Sequence, residues 1–149
     1  MTHIHTPCIG ICSTVYGDDV CRGCRRFSDE IVRWNGLSQD EKLGVLDRLG
    51  KLVEVVIFDK IDRVDKDLLE SALSRFSIRF YRQHHVYTWV YNLMRARGEK
   101  LDEPGALESC GVFMKPCHQR VPMRALLETM DEELYEMSEA LWAKREGAE

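Results

Sequence analysis

Apolar residues recur along most of this chain at spacings of three and four, the period of an amphipathic helix. The clearest helix start is Ser38-Gln39-Asp40-Glu41, where serine and glutamate can satisfy each other's backbone N–H groups. It opens a helix carrying Leu46, Leu49, Val53 and Val56 on one face. A shorter helix is predicted upstream, capped by Ser28, with acids in its first turn and Asn35-Gly36 at its end. A third is predicted over residues 66–97, with one stripe through Leu69, Leu73, Phe76, Phe80, His84, Tyr87, Tyr91 and Met94. A second face holds Val86, Trp89, Val90 and Leu93, so this helix reads as central or covered. Residues 98–119 are irregular, and a last helix begins near Pro122. Its Met123, Leu127, Met130, Leu134, Met137 and Leu141 form a heptad seam, which docks within the chain or pairs two copies as a homodimer.

Residues 1–27 have no sustained periodicity and are punctuated by Gly10, Gly17 and Gly23, which predicts loops and tight turns. No strand pair is expected. The fold class is therefore all-α, with an irregular N-terminal segment packed on a three- to four-helix assembly. The chain has 149 residues, enough for one domain with a small appendage, and divides on this reading into residues 1–50 and a helical extension, 51–149.

Composition adds three constraints. With 44% hydrophobic and 31% charged residues, the chain is neither disordered nor fibrous. No apolar run approaches the roughly 18 residues of a membrane span. The start lacks a basic stretch followed by an apolar one, so no signal peptide is expected and the protein reads as cytoplasmic, with reduced thiols. The net charge of −4 disfavours a dedicated nucleic-acid binder, but it is uneven: residues 74–100 sum to +5 and 101–149 to −6. The basic segment mixes Arg79, Arg82, Arg95 and Arg97 with Tyr81, Tyr87, Trp89 and Tyr91, a combination that can hold single-stranded nucleic acid. Those aromatics also fall on helical stripes, where core packing is the commoner cause, and His84 there reads as a packed core histidine.

The chemistry concentrates in Pro7-Cys8-Ile9-Gly10-Ile11-Cys12 and Cys21-Arg22-Gly23-Cys24-Arg25-Arg26. Each short cysteine pair can wrap one side of a metal ion, and Gly10 and Gly23 permit the tight bends that aim N–H groups at sulfur. Arg22, Arg25 and Arg26 offset the charge of four thiolates and favour their ionisation. Cys8, Cys12, Cys21 and Cys24 are thus the expected metal ligands. Zinc and an iron–sulfur cluster both accept four thiolates; two separated pairs favour zinc, because ferredoxin-type clusters draw three cysteines from one tight run. A closed four-thiolate site leaves no open position, so such zinc is structural.

The Pro7-Cys8-Ile9-Gly10-Ile11-Cys12 start, the Val20-Cys21-Arg22-Gly23-Cys24 pair, Glu30-Ile31-Val32-Arg33-Trp34 and Leu37-Ser38-Gln39-Asp40-Glu41-Lys42 together resemble a family of small bacterial proteins. That family is a domain of unknown function labelled a predicted Fe–S protein. The resemblance covers residues 6–50 and implies the four cysteines as ligands. Residues 51–149 carry no such resemblance.

Cys110 and Cys117-His118 invite a second metal site completed by His84, His85, His3 or His5, but the spacing is loose and packed thiols are the plainer reading. A Cys117–His118 catalytic pair lacks any oxyanion-hole motif. The expected function is a small non-enzymatic metal-binding protein, an adaptor that engages a protein partner, with Trp34 packing the cysteine segment onto the helices. An iron–sulfur electron carrier is the alternative, and a nucleic-acid-binding regulator the next.

Overall fold

A computed structural model describes residues 4–10 and 12–147. The chain divides into two compact units: Met1–Leu52 with Glu133–Glu149, and Val53–Glu132. The described residues are mostly helical, as the periodicity predicts. They contain helices α1 (Ser28–Arg33), α2 (Gln39–Phe58), α3 (Lys66–Arg75), α4 (Val86–Arg97), α5 (Ala106–Ser109) and α6 (Met123–Arg145), with strands β1 (Ile61–Val64) and β2 (Val112–Met114).

In the first unit, α1 begins at Ser28 with Phe27 in the cap position, one residue before the predicted cap. The Glu30 carboxylate reaches back to accept the Phe27 N–H at 2.8 Å. Glu30 also takes a two-pronged contact from Arg48 of α2, whose guanidinium lies 4.0 Å from the centre of the Phe27 ring. The Ser38 capping box forms as expected: Glu41 accepts the Ser38 N–H at 2.9 Å, and Ser38 Oγ accepts the Glu41 N–H at 3.1 Å. These caps hold the Glu41 carboxyl below its usual range. The buried apolar side chains of this unit include Val20, Phe27, Trp34, Val45, Leu46 and Leu134.

The second unit departs from expectation in two places. The helix predicted over residues 66–97 is interrupted, giving α3 and α4. After Arg75 the chain closes a Schellman motif: Ile78 N–H donates to Leu73 O at 2.8 Å and Ser77 N–H to Ser74 O at 3.1 Å. Ser77 takes the left-handed conformation (φ 55°) usually filled by glycine, so composition gives no warning of the break. α4 restarts behind His85, whose Nδ1 accepts the Tyr87 N–H. Side chains of α4 then hold the irregular stretch, Trp89 Nε1 donating to Tyr81 O and Asn92 Nδ2 to Arg79 O. The stripe through His84 is therefore not one buried face, and His84 is half-exposed against the Tyr81 ring.

The second departure is a strand pair where none was expected. β1 and β2 pair antiparallel, Ile61 with Met114 and Val64 with Val112. At four and three residues they are too short to display a two-residue period, and no hairpin turn joins them. The pair is fixed beside α3 by Gly111: Asp65 N–H donates to its carbonyl at 2.7 Å, and a Cβ on Gly111 would lie 2.5 Å from Asp65 O and 2.9 Å from Leu68 Cβ. On α6, Met123, Met130 and Leu134 of the heptad are buried. Leu126 and Ser138 replace Leu127 and Leu141 on the buried face, whose spacings of 3, 4, 4 and 4 run longer than the 3.5 of a heptad.

Gly111→Ala must pay for both a left-handed φ of 81° and the clash with Asp65, a loss of about 3 kcal/mol. Gly105→Ala, at φ 78° but with open space around its Cβ, should lose only about 1 kcal/mol. Urea unfolding of the two variants checks the difference.

Candidate metal centre

The second cysteine pair sits on a short antiparallel turn. Val20 bridges to Phe27, Cys21 N–H donates to Arg26 O at 2.9 Å, and Ser28 N–H donates to Asp19 O at 2.8 Å. Arg25 N–H closes the loop onto Cys21 O at 2.7 Å. The left-handed residue that allows this closure is Arg25 (φ 62°), not Gly23 as the glycine placement suggested. Its guanidinium donates back to Gly23 O at 3.1 Å, which helps secure an unfavourable backbone conformation.

This turn surrounds sulfur with donors. Cys21 is 1% exposed. Burial pushes its thiol pKa up, but the backbone N–H groups of Cys24, Ser13 and Gly23 and the Cys24 thiol all favour the thiolate. Together they bring it from 9.0 down to about 7. Cys24 is buried too, and there burial wins: its thiol is pushed up despite the Arg26 guanidinium, whose Nε donates to Cys24 Sγ at 3.3 Å. Arg26 is itself only 3% exposed and lies 4.9 Å from the Trp34 ring centre. Among the described residues no carboxylate pairs with it.

The three arginines therefore act differently. Arg26 reaches the Cys24 sulfur, Arg25 turns back onto Gly23 O, and Arg22 pairs with Asp18 at 3.5 Å and lies 4.3 Å from the Tyr135 ring centre. Trp34 is buried as expected, with Arg26 on it and Lys42 5.7 Å from the ring centre.

The first pair is less enclosed. Cys8 is exposed and accepts the Gly10 N–H at 3.3 Å, with Gly10 left-handed at φ 92°. Cys12 is half-buried, its Sγ 2.8 Å from Thr14 Oγ1, and the intervening Ile11 lies outside the described residues. Among the described residues no group of three or more His, Cys, Asp or Glu stands close enough to hold a metal ion. The structure thus brings Cys21 and Cys24 together and does not gather Cys8 and Cys12 with them.

The same holds for a second site. Cys110 is buried and packs, as expected, but Cys117 is exposed, with Sγ 3.1 Å from His118 Nδ1. His84 and His5 are half-buried, His85 is exposed, and His3 lies outside the described residues. In the basic segment Trp89 and Tyr91 are buried, so these aromatics belong to packing rather than to a stacking platform. Arg82 is paired with Glu70.

Sequence reasoning missed the contribution of α6 to this unit. Its last turns bring Tyr135 to Arg22, Trp142 to Phe27 (centroids 5.3 Å apart) and Arg145 to Asp29. Trp142 and Arg145, three residues apart on a helix, share a face, the one hint available in advance. Nothing in the pattern marks Ser13 as a donor to Cys21.

Residues 6–52 match the model of a family described as a protein of unknown function (DUF1289), the segment that the cysteine and Trp34 motifs single out. No curated protein and no solved structure matches the chain.

Because the folded state lowers the Cys21 pKa, this group adds stability that is fully present above about pH 9 and lost as pH falls through about 7. Metal-free protein should therefore gain stability between those values, and the Cys21 13Cβ resonance should titrate with a midpoint near 7. A midpoint at or above 9 rules out the N–H···S arrangement.

Proposed function

We propose that residues 6–52 form a structural metal-binding unit, in which Cys21 and Cys24 are a preformed half-site and Cys8 and Cys12 supply the remaining thiolates. The observation that carries this reading is the Arg26–Cys24 contact. A guanidinium buried without a carboxylate leaves an uncompensated charge, at a penalty of several kcal/mol. A neutral Cys24 thiol gives it little relief, whereas a thiolate held by a cation pairs with it. The donor chemistry fits the same reading, since the N–H groups of Ser13, Gly23 and Cys24 favour anionic sulfur at Cys21.

Zinc bound by four thiolates supplies a structural cross-link and no catalytic position. The two separated pairs favour it over an iron–sulfur cluster. Arg26 offsets one negative charge of the ligand set, with its guanidinium 4.9 Å from the Trp34 ring centre. Ligands of this kind suit a reducing, cytoplasmic setting.

We further assign the unit a protein-interaction role rather than an enzymatic one. The 3-10 turn Ser13–Tyr16, between the two cysteine pairs, leaves Val15 73% and Tyr16 90% exposed, and Val32 is 84% exposed. Large apolar side chains this open beside a rigid scaffold suit a partner-binding surface.

Protein purified anaerobically should be colourless and hold one zinc ion per chain, and Cys24→Ser and Cys8→Ser should each lose it. Arg26→Gln keeps all four sulfurs but should release zinc to a chelator about tenfold more readily, as loss of an outer-sphere donor does. A brown protein whose visible bands bleach on reduction would replace zinc with an iron–sulfur centre. Protein without any metal, refractory to reconstitution, would overturn the reading.

A further inference from the structure

Residues 74–100 carry a net charge of +5, and part of that charge gathers at Phe76. The Arg75 guanidinium lies 4.7 Å from the centre of this ring and the Arg97 guanidinium 3.8 Å. The two cations therefore stand within the sum of those distances of each other. Neither they nor Lys100 meet a carboxylate among the described residues, whereas Arg82 of the same run is paired with Glu70. The helix ends do not require them either. Carbonyls in the last turns of α3 and α4 already accept backbone N–H groups, Ile78 donating to Leu73 O and Gly98 to Met94 O. A guanidinium resting on an aromatic face keeps its in-plane N–H donors free for an anion.

Phe76 and Arg97 line a cavity of about 320 Å³, whose wall also holds Lys100, Leu101, Glu103 and Ser109, all within the second unit. Small-molecule sites begin at roughly this size, near 300 Å³. The wall offers polar groups of two kinds. Arg97 and Lys100 are cations, and the guanidinium fork matches phosphate oxygens two at a time. Ser109 Oγ already donates to Ala106 O at 2.7 Å, so it and the Glu103 carboxylate present acceptors, which suit ligand hydroxyl groups. Phe76 and Leu101 add apolar surface. Charge decides between anions. With Arg75, three cations face one carboxylate, an excess of two, and a phosphate monoester at about −1.5 to −2 matches it where a single carboxylate does not.

We propose that Arg75, Arg97 and Lys100, gathered around Phe76, bind the phosphate of a small hydroxylated phosphate ester. The ligand class is a sugar or polyol phosphate, with its hydroxyl groups on Glu103 and Ser109. The site lies outside residues 6–52 and depends on neither the metal nor the interaction role proposed for that segment.

The test titrates ribose 5-phosphate into the full chain, followed by the broadening of its 31P resonance. Binding should saturate, and Arg97→Gln should weaken it at least tenfold, the loss expected of a charged hydrogen bond. Arg124→Gln, which removes a cation paired instead with Glu128, should leave binding unchanged. Unphosphorylated ribose should not bind, inorganic phosphate should bind more weakly than the ester, and added salt should weaken binding. Absence of saturation, equal binding of inorganic phosphate, or equal loss in the two variants overturns the proposal. So does preference for a single-stranded oligonucleotide, which would assign these cations to a polymer.

Should Arg97→Gln fail to fold, the wild-type chain still decides the matter. Phenylglyoxal labelling of Arg75 and Arg97, read by peptide mass, should slow several-fold when ribose 5-phosphate is present, and labelling of Arg124 should not. Protection of neither arginine, or of all three alike, overturns the proposal.

Discussion

A buried guanidinium organises the cysteine segment. Arg26 is buried, and its Nε donates to the Cys24 sulfur at 3.3 Å. To deliver it, the chain must turn within residues 20–27, which places Cys21 and Cys24 side by side and forces Arg25 into a left-handed conformation. The same turn exposes N–H groups to Cys21 and sets Phe27 at the start of α1, where Arg48 and Glu30 close over it. Trp34 lies against this charge, its ring centre 4.9 Å from the Arg26 guanidinium. The cysteine turn, the start of α1 and the buried tryptophan all meet at this one charge.

The cysteine spacing marked where the thiols cluster but not their states. Residue pattern places two thiols three apart, yet only coordinates separate a Cys21 brought down to about 7 from a Cys24 pushed up by burial. The difference arises from backbone N–H directions, which depend on Arg25 adopting a conformation its side chain disfavours. The Ser38 capping box was readable because both partners lie within four residues and the energetics are local. The Arg145–Asp29 contact was not, because it joins residues 116 apart and each charge alone resembles an ordinary surface charge.

The second unit shows the same boundary between local and non-local information. An unbroken apolar stripe over residues 66–97 is sound evidence for helix, but a Schellman closure needs only one residue that tolerates positive φ, and Ser77 supplies it without a glycine to mark it. β1 and β2 persist despite their length because Gly111 lets the strand approach the start of α3, where Asp65 both accepts the Leu68 N–H and donates its own to Gly111. The basic run also resolves locally: Arg75 and Arg97 end α3 and α4, where cations oppose the helix dipole, and both lie over Phe76.

Arg22 is where the α6 contact and the cysteine turn of the first unit meet. It follows the buried Cys21, its N–H donates to Ser13 Oγ, and its side chain lies on Tyr135 of α6. Ser13 is also the residue whose N–H favours the Cys21 thiolate. Any displacement of Arg22 therefore acts on both the helix contact and the backbone that presents donors to sulfur.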